Sequence, residues 1–257
     1  MCIRDSLGND RPLRIQSIEY LSRAPLALAA TAISADSTGQ ARRMVDWDAE
    51  PGSYMMGDIG FNPAGSLGVV GPGGGRLVYP DGFHVEVPER SDLVSEVHFR
   101  PQGRAWTLSD AISLEETPAE RPSRQLVPLN VMVRKIELDI DEIREFKSSV
   151  VLPMAVDLVA MTPRASRRCH SLAIKIMPPD ATSATELLTI ADWNPHYRET
   201  LVLEDPIRLA AGTRIDVSWT YDNTTENPRN PVIPPEVVSL GARVGAAHVL
   251  FLSLIHI

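Results

Sequence analysis

Short runs of alternating hydrophobic and polar residues cover most of this chain, and proline, glycine, aspartate and asparagine separate them. In the clearest run, Thr213–Tyr221, the apolar side chains of Ile215, Val217, Trp219 and Tyr221 share one side of an extended backbone, and polar residues occupy the other side. This period of two predicts a β-strand with one buried face. Repeated at short spacing along the chain, it is typical of antiparallel sandwiches.

The same alternation predicts a series of strands and very little helix. The predicted strands are Leu13–Tyr20, Leu26–Ala35, His84–Val87, Asp92–Phe99, Gln125–Val133, Ile136–Ile140, Glu145–Leu152, Val156–Met161, Ser171–Met177, Thr185–Ile190, Tyr197–Leu203, Thr213–Tyr221, Val237–Leu240 and Ala246–Phe251. A single helical turn is predicted at Asp141–Phe146. Gly52–Gly75 is predicted to be a long connecting loop, because its glycine-rich end, Pro72–Gly75, lacks the Lys-Ser/Thr of a phosphate-binding loop. The expected fold class is all-β, with two tandem antiparallel, jelly-roll-like β-sandwich domains.

The segment Glu115–Ser123 (EETPAERPS) has the composition of a domain linker, since it is charged and contains two prolines. It predicts a boundary between an N-terminal sandwich, residues 7–118, and a C-terminal sandwich, residues 124–251. The adjacent carboxylates of Glu115 and Glu116 are interpreted as solvated charge in this linker.

The two ends of the chain, Met1–Ser6 and Leu252–Ile257, are related in a way that unrelated protein ends are not. Back-translation of Met-Cys-Ile-Arg-Asp-Ser as ATG TGT ATA AGA GAC AG gives DNA whose reverse complement encodes Leu-Ser-Leu-Ile-His. Both ends are therefore predicted to be translated sequencing adapter and are set aside from the fold. On this interpretation both natural termini lie outside the sequence, which leaves room for a signal peptide, a haem domain or another fused domain upstream.

Composition narrows the classes of function. Without its ends the chain has about 245 residues, enough for one large or two ordinary domains. Its net charge of −8, without a basic cluster, argues against a nucleic-acid partner, and no apolar run approaches the ~20 residues of a membrane-spanning helix. Cys169 is then the one native cysteine, which excludes an internal disulfide. The sequon Asn223-Thr224-Thr225 is interpreted as part of a tight Asx-type turn and not as a glycosylation site.

The block Leu209–Pro231 (LAAGTRIDVSWTYDNTTENPRNP) is the most distinctive stretch, with a Gly-Thr-Arg strand start and an Asn-Pro-Arg-Asn-Pro loop. Further distinctive blocks are Asp36–Gly39 with Ala41–Arg43, Gly57–Gly68, Ser91–Gly103, Val156–Asp180 and Asp192–Pro231. In these blocks the chain resembles the copper type II, ascorbate-dependent monooxygenases, which have the two-domain fold of peptidylglycine hydroxylating monooxygenase. The resemblance implies two β-sandwich domains that each hold one copper ion. One copper would supply an electron, and the other would activate dioxygen to hydroxylate a substrate C–H bond.

Most copper ligands of that family are replaced in this chain. In the first domain, the resemblance assigns the His-His pair to Ala29-Ala30 and the third histidine to His98. In the second domain, it assigns the His-x-His pair to Arg164 and Ser166, and the methionine to the neighbourhood of His248. A cysteine that is frequent near Tyr54–Gly57 is replaced by Met55 or Met56. A copper site needs about three nitrogen or sulfur donors that converge on one point. One imidazole is too few, and the permanent charge of Arg164 repels a metal cation. We therefore expect no tightly bound copper at either position and assign no catalytic or cofactor-binding residue.

The sequence allows more than one interpretation of four histidines and of Cys169. His98 is either a vestigial ligand or a half-buried histidine that hydrogen-bonds a neighbour. A cross-strand pair of His84 and His98 would form a new zinc-like site, and the alternative is two unrelated surface histidines. His170 and His248 would form a relocated metal site if the sandwich brought them to Cys169. Cys169 is otherwise either a thiol activated by the neighbouring arginines or a small buried residue.

The resemblance and the replaced donors together predict a protein without copper chemistry. The expected function is that of a copper monooxygenase-like chain with degenerate metal sites, acting as a non-catalytic binding or structural module of a larger extracytoplasmic protein. The alternative is an active copper-dependent monooxygenase with displaced ligands among the four histidines. Copper is the expected cofactor only in that case, and no substrate or partner is predicted.

Overall fold

Strands make up most of the computed structural model, which describes residues 2–45, 65–100, 102–103, 109–196, 198–240 and 247–255. The described elements are nineteen strands and one short helix. They fall into two compact units. Unit 1 comprises Met1–Pro128, Val159–Thr162 and His196–Asp205, and unit 2 comprises Leu129–Leu158, Pro163–Pro195 and Pro206–Ile257.

The elements follow one another with short connections. In chain order the strands are β1 (Cys2–Ser6), β2 (Leu13–Leu21), β3 (Leu28–Asp36), β4 (Gly65–Val70), β5 (Gly75–Val78), β6 (Phe83–Val87), β7 (Asp92–Phe99), β8 (Ala111–Glu116), β9 (Arg124–Gln125), β10 (Val127–Val133), β11 (Ile136–Leu138), β12 (Ile143–Val151), β13 (Val156–Arg164), β14 (Cys169–Met177), β15 (Thr185–Ile190), β16 (Leu201–Leu209), β17 (Arg214–Asp222), β18 (Val238–Leu240) and β19 (Ala247–Ile255), and helix α1 (Gln40–Val45) follows β3.

Unit 1 contains two sheets that share a core. One sheet has the strand order β1-β7-β3-β4, and the other has the order β5-β2-β6-β9 with β8 also paired to β2. The short pair of β6 and β9 is parallel, whereas β3 with β7 and β2 with β6 are antiparallel. Strand β4 contacts β2, β5 and β6 of the other sheet, and Ile18, Ile33 and Leu67 are at most 1% exposed. Removal of such side chains from water is the main stabilising contribution in this unit.

Unit 2 is built on the antiparallel sheet β12-β17-β14-β15, together with the two-stranded sheet β11-β18. Strand β17 is central, and its predicted apolar face is confirmed: Ile215, Val217, Trp219 and Tyr221 are each at most 1% exposed. Strands β10, β13 and β16 contain residues of both units. Because nearly every described element is a strand of an antiparallel sheet, the expected all-β fold class is confirmed.

Most predicted strands are confirmed, and Asp92–Phe99 and Thr185–Ile190 have the predicted bounds. The strand predicted at Tyr197–Leu203 is wrong in its bounds, since β16 begins at Leu201 and continues through Pro206 to Leu209. The run Glu204-Asp205-Pro206 has none of the apolar alternation that marks a strand. A proline fits a strand where its missing N–H is not needed for pairing, so local pattern is a poor guide to such a position.

The helical turn predicted at Asp141–Phe146 is wrong. Asp141 has a φ of 55°, in the left-handed region, and the chain turns there before β12 begins at Ile143. Strand β12 pairs with β17 along its whole length. Cross-strand pairing therefore outweighs the local helix preference of the charged run between Asp141 and Phe146.

The loop predicted at Gly52–Gly75 is wrong in its second part, which contains β4 and the first residue of β5. Leu67, Val69 and Val70 of β4 are buried, but glycine and serine interrupt their alternation in the sequence. Residues 52–64, and with them the positions Met55 and Met56, lie outside the described residues.

Helix α1 does not follow from periodicity, because six residues are too few for an amphipathic pattern. Its start is stabilised by Asp36, the last residue of β3. One carboxylate oxygen of Asp36 accepts a hydrogen bond from the backbone N–H of Ala41 at 2.7 Å, and the other accepts one from that of Thr38 at 2.9 Å. Such side-chain acceptors satisfy N–H groups that a helix start leaves unpaired.

The segment predicted to be a linker, Glu115–Ser123, begins inside β8 and ends before β9. Glu116 forms a two-point ion pair with Arg11, with N–O distances of 2.5 and 2.9 Å. Glu115 accepts hydrogen bonds from Ser17 and Arg76. The two carboxylates are ion-paired at the surface of unit 1 and half-exposed, as expected of solvated charge, but they lie in strand β8 and not in a linker.

Both chain ends that were interpreted as adapter lie in strands. Strand β1 pairs with β7, and Leu252 and Leu254 of β19 are 1% and 8% exposed. Strand pairing uses backbone groups that any sequence carries, so the adapter origin of these residues stays a prediction. Among the described residues, no helix has the length and apolar content to cross a membrane.

Candidate functional site

His98 lies near the end of β7, and Ala30 of the neighbouring strand β3 lies directly opposite it. In the same register Ala32 lies opposite Glu96, two residues earlier on the same face. Residues that are opposite each other in an antiparallel pair have Cβ atoms about 4.5–5.5 Å apart. Two positions that the resemblance assigns to copper ligands, Ala30 and His98, are thus neighbours in one sheet.

The His98 imidazole is held by two charged neighbours within unit 1. Its Nε2 atom lies 2.8 Å from Oε1 of Glu96 and 3.3 Å from Nη1 of Arg198. The side chains of His98 and Glu96 are 31% and 12% exposed. One ring nitrogen either donates to the carboxylate or accepts from the guanidinium, so one of these contacts is a hydrogen bond at a given time. This is the geometry of a half-buried histidine that hydrogen-bonds its neighbours.

The residues at this position do not fit a copper ion. Ala29 and Ala30 are 3% and 0% exposed, and their methyl groups offer no donor atom. The Arg198 guanidinium, a permanent cation, lies 3.3 Å from the ring nitrogen that would face a metal. A cation at that distance opposes a cuprous or cupric ion in the same space.

The position assigned to the second copper site also lacks suitable donors. Arg164 is the last residue of β13, and Ser166 follows in the turn before β14. The backbone N–H of Ser166 donates to the hydroxyl of Tyr221 at 3.3 Å, while the Ser166 Oγ is buried and has no hydrogen-bond partner among the described residues. A guanidinium cannot coordinate a metal, and a neutral hydroxyl is a poor ligand for copper. His248 lies in β19, and its side chain falls outside the described part of the structure.

His84 does not form the cross-strand pair with His98 that would make a zinc-like site. His84 is in β6, which pairs with β2 and β9, whereas His98 is in β7 of the other sheet of unit 1. The prediction of a surface histidine is also wrong for His84, which is 5% exposed. Its Nδ1 atom is buried and has no hydrogen-bond partner in the described part of the chain. Burial lowers the pKa of His84, and the charge of Arg14 adds to the effect.

Cys169 is a buried residue and not an activated thiol. It is 1% exposed, and its Sγ lies 3.4 Å from the backbone oxygen of Ser171. Burial raises the pKa of Cys169 to about 12. The guanidinium of the neighbouring Arg168 is hydrogen-bonded to Asn223 and Asn230.

The relocated metal site of Cys169, His170 and His248 is not supported by the described side chains. His170 is exposed whereas Cys169 is buried, and a register irregularity in β14 separates Cys169 from Ser171. Within the residues that the structure describes, no group of three or more histidine, cysteine, aspartate or glutamate side chains is arranged to hold a metal ion.

A buried polar hub in unit 2 is a feature that sequence reasoning did not find. The Arg168 Nε–H lies 3.1 Å from both Asn223 Oδ1 and Asn230 Oδ1. The Asn223 amide nitrogen donates to the backbone oxygens of Asp139 and Glu236 at 2.8 and 2.9 Å. The repeated asparagine and proline spacing of the 223–231 block was its sequence signal, since asparagine amides commonly bond nearby backbone.

The same hub explains the sequon at Asn223. Asn223 is 0% exposed and both ends of its amide are hydrogen-bonded, so the folded chain offers no nitrogen for a glycan. The predicted Asx turn is present, with Asp222 as its acceptor: Thr224 donates to Asp222 Oδ1 through its backbone N–H at 2.8 Å and through its hydroxyl at 2.7 Å.

Comparison with known proteins gives no family. No family model matches the sequence, and no curated protein matches it. Among solved structures, the chain is similar to the VP2 subviral particle of infectious bursal disease virus, with a TM-score of 0.25 and 9% identity over 96% of this chain and 58% of that chain. It is also similar to a candidate secreted protein from Eubacterium rectale, with a TM-score of 0.25 and 7% identity over 100% of this chain and 69% of that chain. The chain thus spans 58% of the VP2 chain, and similarity at this level supports no statement about function.

Proposed function

We propose that this chain is a non-catalytic β-sandwich protein with the design of a copper type II monooxygenase and without its copper chemistry. In this proposal it serves as a binding or structural module of a larger extracytoplasmic protein. The location outside the cytoplasm rests on the resemblance of the sequence blocks alone.

One observation carries the proposal. Ala30 and His98 lie opposite each other in the β3–β7 register, so the two strands bring these positions together as a ligand pair would require. In place of a second imidazole there is a methyl group, and the remaining imidazole is engaged by Glu96 and Arg198. The Glu96 carboxylate and the Arg198 guanidinium both contact the same ring nitrogen of His98, which supports a structural role for this imidazole.

The second position gives independent support. Copper chemistry there would need donors where Arg164 and Ser166 stand, and Ser166 is tied by its backbone to the Tyr221 hydroxyl of the buried face of β17. The thiol closest in sequence, Cys169, is buried with a raised pKa, which keeps it protonated and a weak ligand at neutral pH.

Copper loading tests the proposal. The purified chain would be incubated with excess copper and ascorbate, passed through a desalting column, and assayed for copper per chain by elemental mass spectrometry, with circular dichroism to show that it stays folded. We expect far less than one copper per chain, in the wild type and in His98→Gln alike. Retention of one or more copper ions per folded chain would overturn the proposal. Loss of that copper in His98→Gln would identify the first position as the site and favour the active monooxygenase.

A further inference from the structure

Strand β12 forms an outer edge of its sheet in unit 2. The sheet order is β12-β17-β14-β15, and β12 pairs with β17 from Ile143 to Val151. Its other backbone edge therefore points away from this sheet. An edge strand of nine residues carries a row of N–H and C=O groups that can pair with another extended chain.

From Glu145 onward the side chains of β12 alternate in exposure, and the exposed set is charged in its centre. Ile143 and Val151, at the two ends, are 61% and 58% exposed. Between them, Glu145 and Lys147 are 45% and 71% exposed and form an ion pair with an N–O distance of 2.6 Å. Phe146 points to the other side, where its ring makes an edge-on contact with Tyr221 at a centroid distance of 5.8 Å.

Backbone geometry restricts how two such edges can meet. Along an antiparallel edge, the outward-pointing N–H and C=O groups belong to alternate residues. Two copies of β12 can therefore pair only in registers that match odd residues with odd residues and even with even.

Charge then selects among these registers. A pairing centred on Glu145 sets Glu145 against itself, and one centred on Lys147 sets Lys147 against itself. A pairing centred on Phe146 sets Glu145 of each copy against Lys147 of the other and the two Phe146 rings against each other. Opposite charges and aromatic pairs across strands are stabilising, and like charges directly opposite are destabilising.

We propose that β12 is a self-association edge, at which two copies of this chain pair antiparallel about a twofold axis through Phe146. The sequence Glu145-Phe146-Lys147 is self-complementary in this register, as an isologous interface requires. Charged residues on an edge usually prevent strand pairing. Here the same two charges disfavour the registers centred on Glu145 and on Lys147, and they favour the register centred on Phe146. This inference concerns assembly and is independent of the copper proposal.

The first experiment exchanges the charges. The molecular mass of the whole chain would be followed by sedimentation equilibrium over a concentration series for the wild type, Lys147→Glu, Glu145→Lys and the double exchange Glu145→Lys/Lys147→Glu. Each single variant sets like charges opposite each other, so we expect its dimer dissociation constant to rise roughly tenfold or more. The double exchange restores opposite charges and is expected to return the dissociation constant to within about threefold of the wild-type value.

The second experiment tests the register. In the proposed pairing, Ile143 lies opposite Ser149 of the other copy, whereas the two positions within one chain are about 20 Å apart. In a Cys2→Ser background, Ile143→Cys/Ser149→Cys should therefore form a disulfide-linked dimer on mild oxidation, since a disulfide needs Cα atoms within about 7 Å. Ile143→Cys alone is the matched control and should stay unlinked.

The outcomes are decisive in both directions. A monomeric wild type at all concentrations would overturn the proposal, and so would a dimer whose dissociation constant does not change with either single exchange. A dimer weakened by the single exchanges and restored by the double exchange supports it. If the double-cysteine variant fails to link while the control links, the register is overturned. Circular dichroism of each variant excludes misfolding as the cause, and the exposed positions make misfolding a small concern.

Discussion

At the scale of single residues, burial decides the chemistry of Cys169 and His84 more than their sequence neighbours do. Two arginines precede Cys169, yet its pKa rises to about 12 because the thiol is buried. His84 is buried in β6, and no described residue hydrogen-bonds its Nδ1 atom. Burial therefore favours the neutral form of both groups. This weakens Cys169 as a nucleophile and as a metal ligand, whereas a neutral imidazole such as that of His84 can still bind a metal.

His84 is expected to make the stability of unit 1 fall with acidification. Its folded pKa lies below the ordinary value of 6.5, by burial first and Arg14 second, with Glu86 acting in the opposite direction. Below pH 6.5 the unfolded state therefore binds more protons than the folded state, and the free energy of unfolding falls as the pH drops further. The slope from this residue is at most about 1.4 kcal/mol per pH unit.

Urea unfolding at intervals between pH 8 and pH 5 checks this expectation. His84→Gln should reduce the slope below pH 6.5. An unchanged slope in His84→Gln would show that the histidine is solvated in the folded chain.

At the scale of elements, β4 is a strand whose hydrophobic alternation in the sequence is interrupted by glycine. Gly68 has a φ of 106° and lies opposite Ile33, next to an irregularity in the β3–β4 register. A Cβ at this position would lie 2.3 Å from a methyl group of Leu77. Glycine is thus required by both the backbone conformation and the packed core, and this local bulge belongs to the strand.

Gly68→Ala is expected to destabilise the chain by at least about 3 kcal/mol, from backbone strain together with overpacking against Leu77. Gly82→Ala is the matched control, because Gly82 also has a positive φ, 82°, but has open space around its Cβ position. The control should cost about 1 kcal/mol, from strain alone. The free energy of unfolding in urea would be measured for both variants. An equal decrease in the two would show that the side chains around Leu77 move to accommodate the added methyl group.

At the scale of the whole molecule, unit 2 depends on the buried hub of Arg168, Asn223 and Asn230. The hub joins the start of β14, the end of β17 and the backbone at Asp139 and Glu236, which are far apart in sequence. The most distinctive sequence block therefore corresponds to a structural element. Within this block the buried Asn223 amide is fully hydrogen-bonded, as buried polar groups usually are.

Asn223→Ala is expected to destabilise unit 2 by about 3 kcal/mol, because the half-buried Arg168 guanidinium and the Asn230 amide each lose one acceptor and two backbone carbonyl groups lose their donor. Asn227→Ala is the control. Asn227 is half-exposed, its side chain bonds Asp222 and Arg229, and water can replace those bonds, so its loss should be about 1 kcal/mol. Urea unfolding compares the two. A similar decrease in the free energy of unfolding for the two variants would mean that water reaches the hub.

Much of the fold follows from local pattern. Alternation predicted the central strand β17, its buried face and the all-β class, because side chains on a strand point to opposite faces whatever the strand pairs with. Pattern failed where conformation depends on a distant partner. The charged run after Asp141 forms the edge strand β12 because it pairs with β17, and β4 is a strand because it pairs with β3.

The candidate site divides in the same way. The sequence by itself determined which donor atoms exist: alanines at 29 and 30, arginine at 164 and serine at 166. Only the tertiary structure decided that Ala30 faces His98, that Arg198 reaches the same imidazole, and that His84 lies in a different sheet from His98. The physical reason is that chemical identity is carried by each residue alone, whereas register, burial and charge contacts come from strands that are distant in the chain.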